Sequence, residues 1–225
     1  MRFWNEDRSL RVMLVLLLLF IFVFVPILSH GRAGAIIIKI IYSFMLVTGI
    51  FAVAKNKKYV IIGTSFALIG MAANWLSIEP TRSALIANDF GAIFFNFFFA
   101  LAILVKTFKS GEITFQRIEG SIVVYLLIGM MFAFVFQAIY LFTGAASFNN
   151  ITGTDLRGFL YYSFTTLTTM GYGDITPVHP LARSFATFEA LIGQLYPAIL
   201  IARLVSMEFA SSNREKDKTQ NLPHL

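Results

Sequence analysis

The chain contains no cysteine and few charged side chains. The absence of cysteine excludes disulfide bonds, thiol catalysis and cysteine metal sites. Charged residues make up 13% of the 225 residues, about half of their usual share in soluble proteins. Apolar residues make up 57%, and the mean hydropathy is +0.75. This composition predicts an integral membrane protein and argues against a soluble domain.

Histidine is also scarce, and the three histidines stand far apart, at positions 30, 179 and 224. Their separation does not fit the spacing of a metal site, and no paired carboxylates or nucleophile with a neighbouring base can be recognised. A membrane enzyme is therefore not predicted.

Six apolar stretches are each long enough to cross a hydrocarbon core of about 30 Å, which takes about 20 helical residues. A seventh apolar stretch, at 156–168, is too short to span. The sequence therefore predicts an all-α integral membrane protein with six transmembrane helices. The expected spans are 11–29, 34–54, 58–78, 84–107, 119–142 and 182–206.

Basic residues are divided unequally between the two sides that this count defines. Of the 18 Lys and Arg residues, 13 fall on the side that holds both termini. Because basic residues favour the cytoplasmic face, we expect a multi-pass protein of the cell membrane, plasma or inner, with both termini in the cytoplasm. The net charge of +6 then reflects membrane topology, and no nucleic-acid partner is predicted.

The run Thr169–Asp174 reads Thr-Met-Gly-Tyr-Gly-Asp and follows the short apolar stretch directly. A dehydrated cation needs a cage of oxygens, and a backbone supplies one when its successive carbonyls point the same way. That arrangement requires alternating backbone conformations, and Gly171 and Gly173 can adopt positive φ at little cost. The hydroxyl of Thr169 would add a further oxygen.

This run resembles the selectivity filter of potassium channels, and residues 155–207 resemble the pore domain of that family. The resemblance implies a re-entrant pore helix near 156–168, capped by Thr154 or Asp155, and a filter loop between the fifth and sixth spans. It also implies a homotetramer, since one chain supplies one loop, and no cofactor other than permeant potassium. The implied filter residues are Thr169, Met170, Gly171, Tyr172 and Gly173, with potassium at the first four.

Four further residues take positions that support the filter in that family. Tyr161 and Tyr162 stand where members carry aromatic residues packed around the filter, although both would also suit a membrane interface. Thr165 stands where some members have a buried glutamate bonded to the filter's aspartate, here Asp174. The side chain of Tyr172 is expected to point away from the pore axis, into the aromatic layer.

The last span carries the expected gating residues. Gly193 stands where the family has a glycine hinge, and the alternative for an isolated glycine is a close helix contact. Pro197 removes a backbone hydrogen bond and is expected to bend the helix. The inner gate is expected where four helices cross, at Ile201, Ala202 and Val205.

We expect three regions: a four-helix domain at 1–110 resembling a degenerate voltage sensor, a pore domain at 111–210, and a polar cytoplasmic tail at 211–225. A voltage sensor needs repeated basic residues in its fourth helix, yet residues 84–105 contain none. Steep voltage gating is therefore not predicted. Asp89 is expected to reach interfacial water, the alternative being a functional carboxylate within the membrane.

The sequence thus predicts a potassium-selective channel that conducts passively through a tetrameric pore. Two alternatives remain: a weakly selective cation channel, and a non-conducting subunit that assembles with other pore chains. His179 lies next to the expected filter mouth. Its four copies either form a pH-sensitive ring of side chains in the tetramer, or His179 is a plain loop histidine.

Overall fold

The computed structural model describes residues 6–28, 31–52, 81–108, 114–151 and 153–220, together with residues 65, 72 and 75. A π-helical segment, Phe20–Phe24, and one turn, Val25–Leu28, continue the first helix. A short 3-10 turn, Ala145–Ser147, precedes strand β1. The elements are α1 Glu6–Leu19, α2 Gly31–Ala52, α3 Arg82–Thr107, α4 Phe115–Thr143, β1 Phe148–Asn149, α5 Leu156–Leu167, β2 Thr176–Pro177 and α6 Pro180–Gln220.

Four helical stretches among the described residues are long and apolar enough to cross a membrane. They coincide with four predicted spans, 11–29, 84–107, 119–142 and 182–206. The predicted span 34–54 falls on α2, whose apolar part is shorter, and the predicted span 58–78 lies almost wholly outside the described residues. The chain is a mostly helical, multi-pass membrane protein. The four stretches are Leu10–Leu28, Arg82–Thr107, Phe115–Thr143 and Pro180–Met207.

Helix α4 is the central element of the molecule, and it packs against α1, α3, α5 and α6. Its side chains Val123, Leu127, Met130 and Phe136 are fully buried. Helix α6 is the opposite case, because most of its apolar side chains remain exposed. The core of the described residues therefore lies around α4, and α6 lies at its periphery.

Local capping sets both ends of α5. The Asp155 side chain accepts a hydrogen bond from the Arg157 N–H at 3.2 Å, as expected for an N-cap. At the other end the Thr168 hydroxyl donates to the Phe164 carbonyl at 2.6 Å. Twelve helical residues extend about 18 Å, which is too short for the hydrocarbon core.

The structure corrects the expectation for Asp89 in α3. Its side chain is fully buried and does not reach interfacial water. Neither carboxylate oxygen is hydrogen-bonded within the described part of the chain. Tyr42 of α2 is buried as well. Helix α3 turns Asp89 and Asn96 toward the protein interior and Phe94 and Phe97 outward.

Candidate functional site

The segment Thr169–Gly173 leaves the end of α5 with an alternating backbone. Thr169, Gly171 and Gly173 have φ values of +57°, +52° and +78°, whereas the residues between them keep negative φ. This is the alternation expected from the two glycines. The sequence did not indicate positive φ at Thr169, where a β-branched side chain makes this conformation strained by about 1–3 kcal/mol.

The last turn of α5 holds the start of this segment through the backbone. The carbonyl oxygen of Thr165 accepts hydrogen bonds from the N–H groups of Met170 at 2.9 Å and Gly171 at 3.1 Å. The Thr169 N–H donates to the Thr166 carbonyl at 2.9 Å. The Thr165 hydroxyl donates to the Tyr162 carbonyl within α5, so its contact with the segment comes from the main chain.

The other end of the segment is fixed by the loop that follows α4. The Asn150 side-chain amide donates to the Asp174 carbonyl at 2.7 Å. Strands β1 and β2 pair antiparallel, which sets Phe148 opposite Pro177 and Asn149 opposite Thr176. The segment is therefore held at both ends, by α5 and by the β1–β2 pair.

The two predicted supporting tyrosines point in different directions. Tyr161 lies parallel to Tyr172, with ring centroids 6.5 Å apart and 5° between the planes. A hydrogen bond to the Asp174 carboxylate raises the pKa of the Tyr161 phenol. Tyr162 packs into the core, 4.8 Å from the Phe136 ring centroid. Adjacent helical residues face about 100° apart, so only Tyr161 meets the segment.

Within one chain the segment is open on one side. The side chains of Met170 and Tyr172 are 56% and 66% exposed. A Cβ atom built on Gly171 or Gly173 would meet no atom within 4 Å. The glycines are therefore required by their backbone angles, and crowding within the chain plays no part.

Two glycines let α4 and α6 approach α5 closely. A Cβ atom on Gly193 of α6 would lie 1.8 Å from the Leu167 carbonyl oxygen, and one on Gly129 of α4 would lie 2.7 Å from the Phe164 ring. The Tyr125 hydroxyl also donates to the Leu167 carbonyl at 3.2 Å. This geometry supports the close-contact role considered for Gly193. Its hinge role stays a prediction.

Helix α6 continues without interruption through Pro197. Proline lacks the N–H that would bond the carbonyl four residues earlier, which here belongs to Gly193. The two predicted hinge residues are thus the two ends of one missing helical hydrogen bond. A bend at this turn stays a prediction.

The predicted gate residues lie further along α6, on surface that one chain leaves uncovered. Ile201, Ala202 and Val205 are all exposed. A constriction would need this surface to face other copies, so the gate also stays a prediction.

His179 has its Nδ1 atom within 3.3 Å of the Leu181 N–H, which donates to it.

Sequence reasoning missed Glu189, which α6 places directly behind α5. Its side chain is fully buried. Its Oε1 atom lies 2.5 Å from the Ser163 hydroxyl oxygen, and that hydroxyl is also 2.6 Å from the Gly129 carbonyl oxygen. The available signal was an acidic residue inside a predicted span, the same signal that drew attention to Asp89.

Comparison with known proteins agrees with this part of the structure. The model of a family described as "Ion channel" matches residues 122–209, which include most of α4, all of α5, the Thr169–Gly173 segment and the apolar part of α6. A protein named two pore potassium channel c, from Oryza sativa subsp. japonica, is 34% identical over 86 residues. That match covers 34% of this chain and 19% of the rice protein.

Two bacterial proteins named LctB match a shorter stretch. The protein from Geobacillus stearothermophilus is 46% identical over 50 residues, and that from Bacillus caldotenax is 44% identical over 50 residues. Each match covers 22% of this chain and 37% of the bacterial protein. The chain thus spans less than two fifths of the length of these curated relatives. No solved structure matches the chain. The resemblance to the pore domain of potassium channels is thus supported by an ion-channel family model over residues 122–209 and by a relative named as a potassium channel.

Proposed function

We infer that the protein is a potassium-selective channel that conducts ions passively down their gradient. Four copies each contribute one filter, Thr169–Gly173. Main-chain oxygens of Thr169, Met170, Gly171 and Tyr172, with the Thr169 hydroxyl, replace the water that a potassium ion sheds on entry. The protein is a non-enzymatic transporter, and the permeating ion is its cargo.

The observation that carries this proposal is the alternation of φ along the proposed filter. Positive φ at positions 169, 171 and 173 turns every second peptide unit, which is the backbone requirement for carbonyls that share one direction. Two of the three positions are glycine, the residue that meets this requirement at least cost. Thr169 meets it under strain, and strained residues of this kind cluster at functional sites.

The exposure of the same segment supports a tetramer. Non-helical backbone at membrane depth is tolerated only where protein covers it or where it lines water. One chain leaves Met170, Tyr172 and both glycines open on one side. Three further copies around an axis would cover the side chains and leave the carbonyls facing the ion path.

The proposed membrane topology has six spans and one pore helix. Helix α5 enters the membrane partway as the pore helix, and its C-terminal carbonyls favour a cation at the pore centre. Six spans place both termini in the cytoplasm, and the membrane is the cell membrane. The proposed regions are a four-helix domain at 1–110, a pore domain at 111–210 and a tail at 211–225.

Ion flux into liposomes tests the proposal. We expect purified protein to carry potassium and exclude sodium, and barium to block the flux. Gly173→Ala should abolish potassium flux while the tetramer still assembles, because alanine resists the φ of +78° on which the carbonyl direction depends. Gly153→Ala is the matched control, since Gly153 also has φ +78° and open space around it but lies in the loop before α5.

Each other outcome contradicts a distinct part of the proposal. Equal sodium and potassium flux would favour a weakly selective cation channel. Absence of flux from a well-assembled tetramer would favour a non-conducting subunit. If Gly173→Ala and Gly153→Ala reduce flux equally, the filter is not at residues 169–173.

A further inference from the structure

The Ser163 hydroxyl in α5 lies between two oxygen atoms that can both accept a hydrogen bond. The Gly129 carbonyl oxygen of α4 is 2.6 Å away, and Oε1 of Glu189 in α6 is 2.5 Å away. A serine hydroxyl has one proton and can donate it to one partner. The second hydrogen bond therefore needs a proton from the other side, and a backbone carbonyl has none to give.

We propose that Glu189 is a neutral carboxylic acid that donates to Ser163, while Ser163 donates to the Gly129 carbonyl, and that this chain of hydrogen bonds positions the pore helix behind the filter. Glu189 is then a positioning residue for ion conduction, acting through α5. This inference rests on the proposed channel function.

The surroundings of Glu189 fit a neutral side chain. The residue is fully buried, its Oε2 atom has no hydrogen-bond partner, and no basic side chain in the described ranges forms an ion pair with it. The titratable groups that face it are the phenols of Tyr125 on α4 and Tyr162 on α5. An ionised carboxylate here would be a buried charge without a cation, and no attraction to a nearby cation would offset its loss of hydration.

The contact reaches the filter through a short path. Ser163 is two residues before Thr165, whose carbonyl oxygen holds the N–H groups of Met170 and Gly171. A rotation or shift of α5 moves that oxygen and, with it, the start of the filter. Glu189 thus contacts the helix turn of α5 whose carbonyl oxygen holds the start of the filter by hydrogen bonds.

The same face of α6 makes a second contact one turn further on. Gly193 lies four residues after Glu189 and meets Leu167, which lies four residues after Ser163. The two pairs form successive contacts along α5 and α6. One is a hydrogen bond and the other a close backbone approach, so together they fix both the rotation and the distance of α5.

A glutamine substitution separates this role from that of an ionised carboxylate near the ion path. In Glu189→Gln the side-chain N–H can still donate to Ser163, so we expect potassium flux and selectivity to stay near wild type. In Glu189→Ala the donor is lost. We then expect the potassium-over-sodium flux ratio in liposomes to fall below that of wild type and of Glu189→Gln, because α5 loses its hydrogen bond to α6.

Infrared spectroscopy of the assembled protein reads the proton directly. The wild-type spectrum should contain a protonated carboxyl C=O band that disappears in Glu189→Gln. The control is Glu119→Gln, which removes a carboxylate paired with Arg11 at 2.9 Å and should leave that band unchanged.

The outcomes also separate this proposal from the channel assignment. A wild-type protein that excludes potassium would refute the channel function, and the infrared band would still decide the protonation of Glu189. A selective wild type with Glu189→Gln as defective as Glu189→Ala would overturn the positioning role. An unchanged carboxyl band in Glu189→Gln would overturn the neutral acid.

Discussion

Thr169 combines a β-branched side chain with a left-handed backbone. Its φ is +57°, and its N–H is held by the Thr166 carbonyl at 2.9 Å. A glycine would relieve the strain, but any contribution of the threonine side chain would then be lost. In the proposed filter that contribution is the hydroxyl oxygen, which would face the ion at the inner end.

The effect of a substitution at Thr169 on potassium binding should therefore depend on whether the hydroxyl is kept. We expect Thr169→Ser to retain potassium binding, because serine keeps the oxygen. Thr169→Ala should weaken potassium affinity by about tenfold, since one oxygen ligand is lost. Isothermal titration calorimetry of the purified tetramer with potassium measures both variants. Equal affinity in the two would mean that the hydroxyl does not bind the ion.

Helix α5 lies between α4 and α6 at positions where a side chain on either neighbour would collide with it: Gly129 faces the Phe164 ring, and Gly193 faces the Leu167 carbonyl. A Cβ atom on Gly193 would lie 1.8 Å from the Leu167 carbonyl oxygen, far inside van der Waals contact, and that oxygen belongs to the main chain. Helices α5 and α6 are also joined one turn away by the hydrogen bond between Ser163 and Glu189, which opposes their separation.

Gly193→Ala should accordingly displace α5 and disturb the filter. We expect a loss of stability of about 1–3 kcal/mol, typical of overpacking, together with reduced potassium flux. Gly158→Ala on α5 is the control, because a Cβ there meets no atom within 4 Å and alanine favours the helix. Thermal unfolding in detergent and liposome flux report the two effects.

A purely flexible role for Gly193 gives a different result. If the glycine serves only as a hinge, alanine should change channel opening while thermal stability and selectivity stay at wild-type values. Stability equal to that of Gly158→Ala would contradict the close-contact role.

Sequence alone predicted those parts of the site that depend on local residues. The end of α5 and positive φ at Gly171 and Gly173 follow from residues within one turn of each feature. The cap does so as well, although the sequence left Thr154 and Asp155 open and the structure has Asp155. Glu189 and Tyr162 could not be placed in this way. Their environments depend on how α4 and α6 are rotated against α5, and apolar helices of this kind carry little periodicity that would fix the rotation.

Asp89 illustrates the same limit in the N-terminal helices. Its position near one end of α3 indicated interfacial water, because depth along the helix can be counted from the sequence. Its burial depends on the direction in which α3 faces, and α3 turns Asp89 and Asn96 to the interior. The depth of Asp89 along the helix was therefore predictable from the sequence, and the direction in which its side chain points was not.

For the whole molecule, the charge distribution of α3 bears on gating. Its basic residues are Arg82 in the first turn and Lys106 in the last, with none between them. Arg82 is also tied to α4, through the carbonyl of Leu141. One charge crossing the membrane field is worth about 2.3 kcal/mol per 100 mV, and α3 offers none at membrane depth.

We therefore expect open probability to depend only weakly on voltage. Single-channel recording in planar bilayers over both polarities measures this. A steep sigmoidal dependence, of the kind that several moving charges per subunit produce, would contradict the account and would place a voltage sensor elsewhere in the assembly.

In the proposed channel, four chains bind dehydrated cations with the main-chain oxygens of residues 169–172. Anomalous diffraction from crystals grown in rubidium, a heavier substitute for potassium, tests it most directly. We expect a row of anomalous peaks on a four-fold axis, flanked by Thr169–Gly173 of each copy. Crystals in which this segment faces lipid, with no cation on a shared axis, would contradict it.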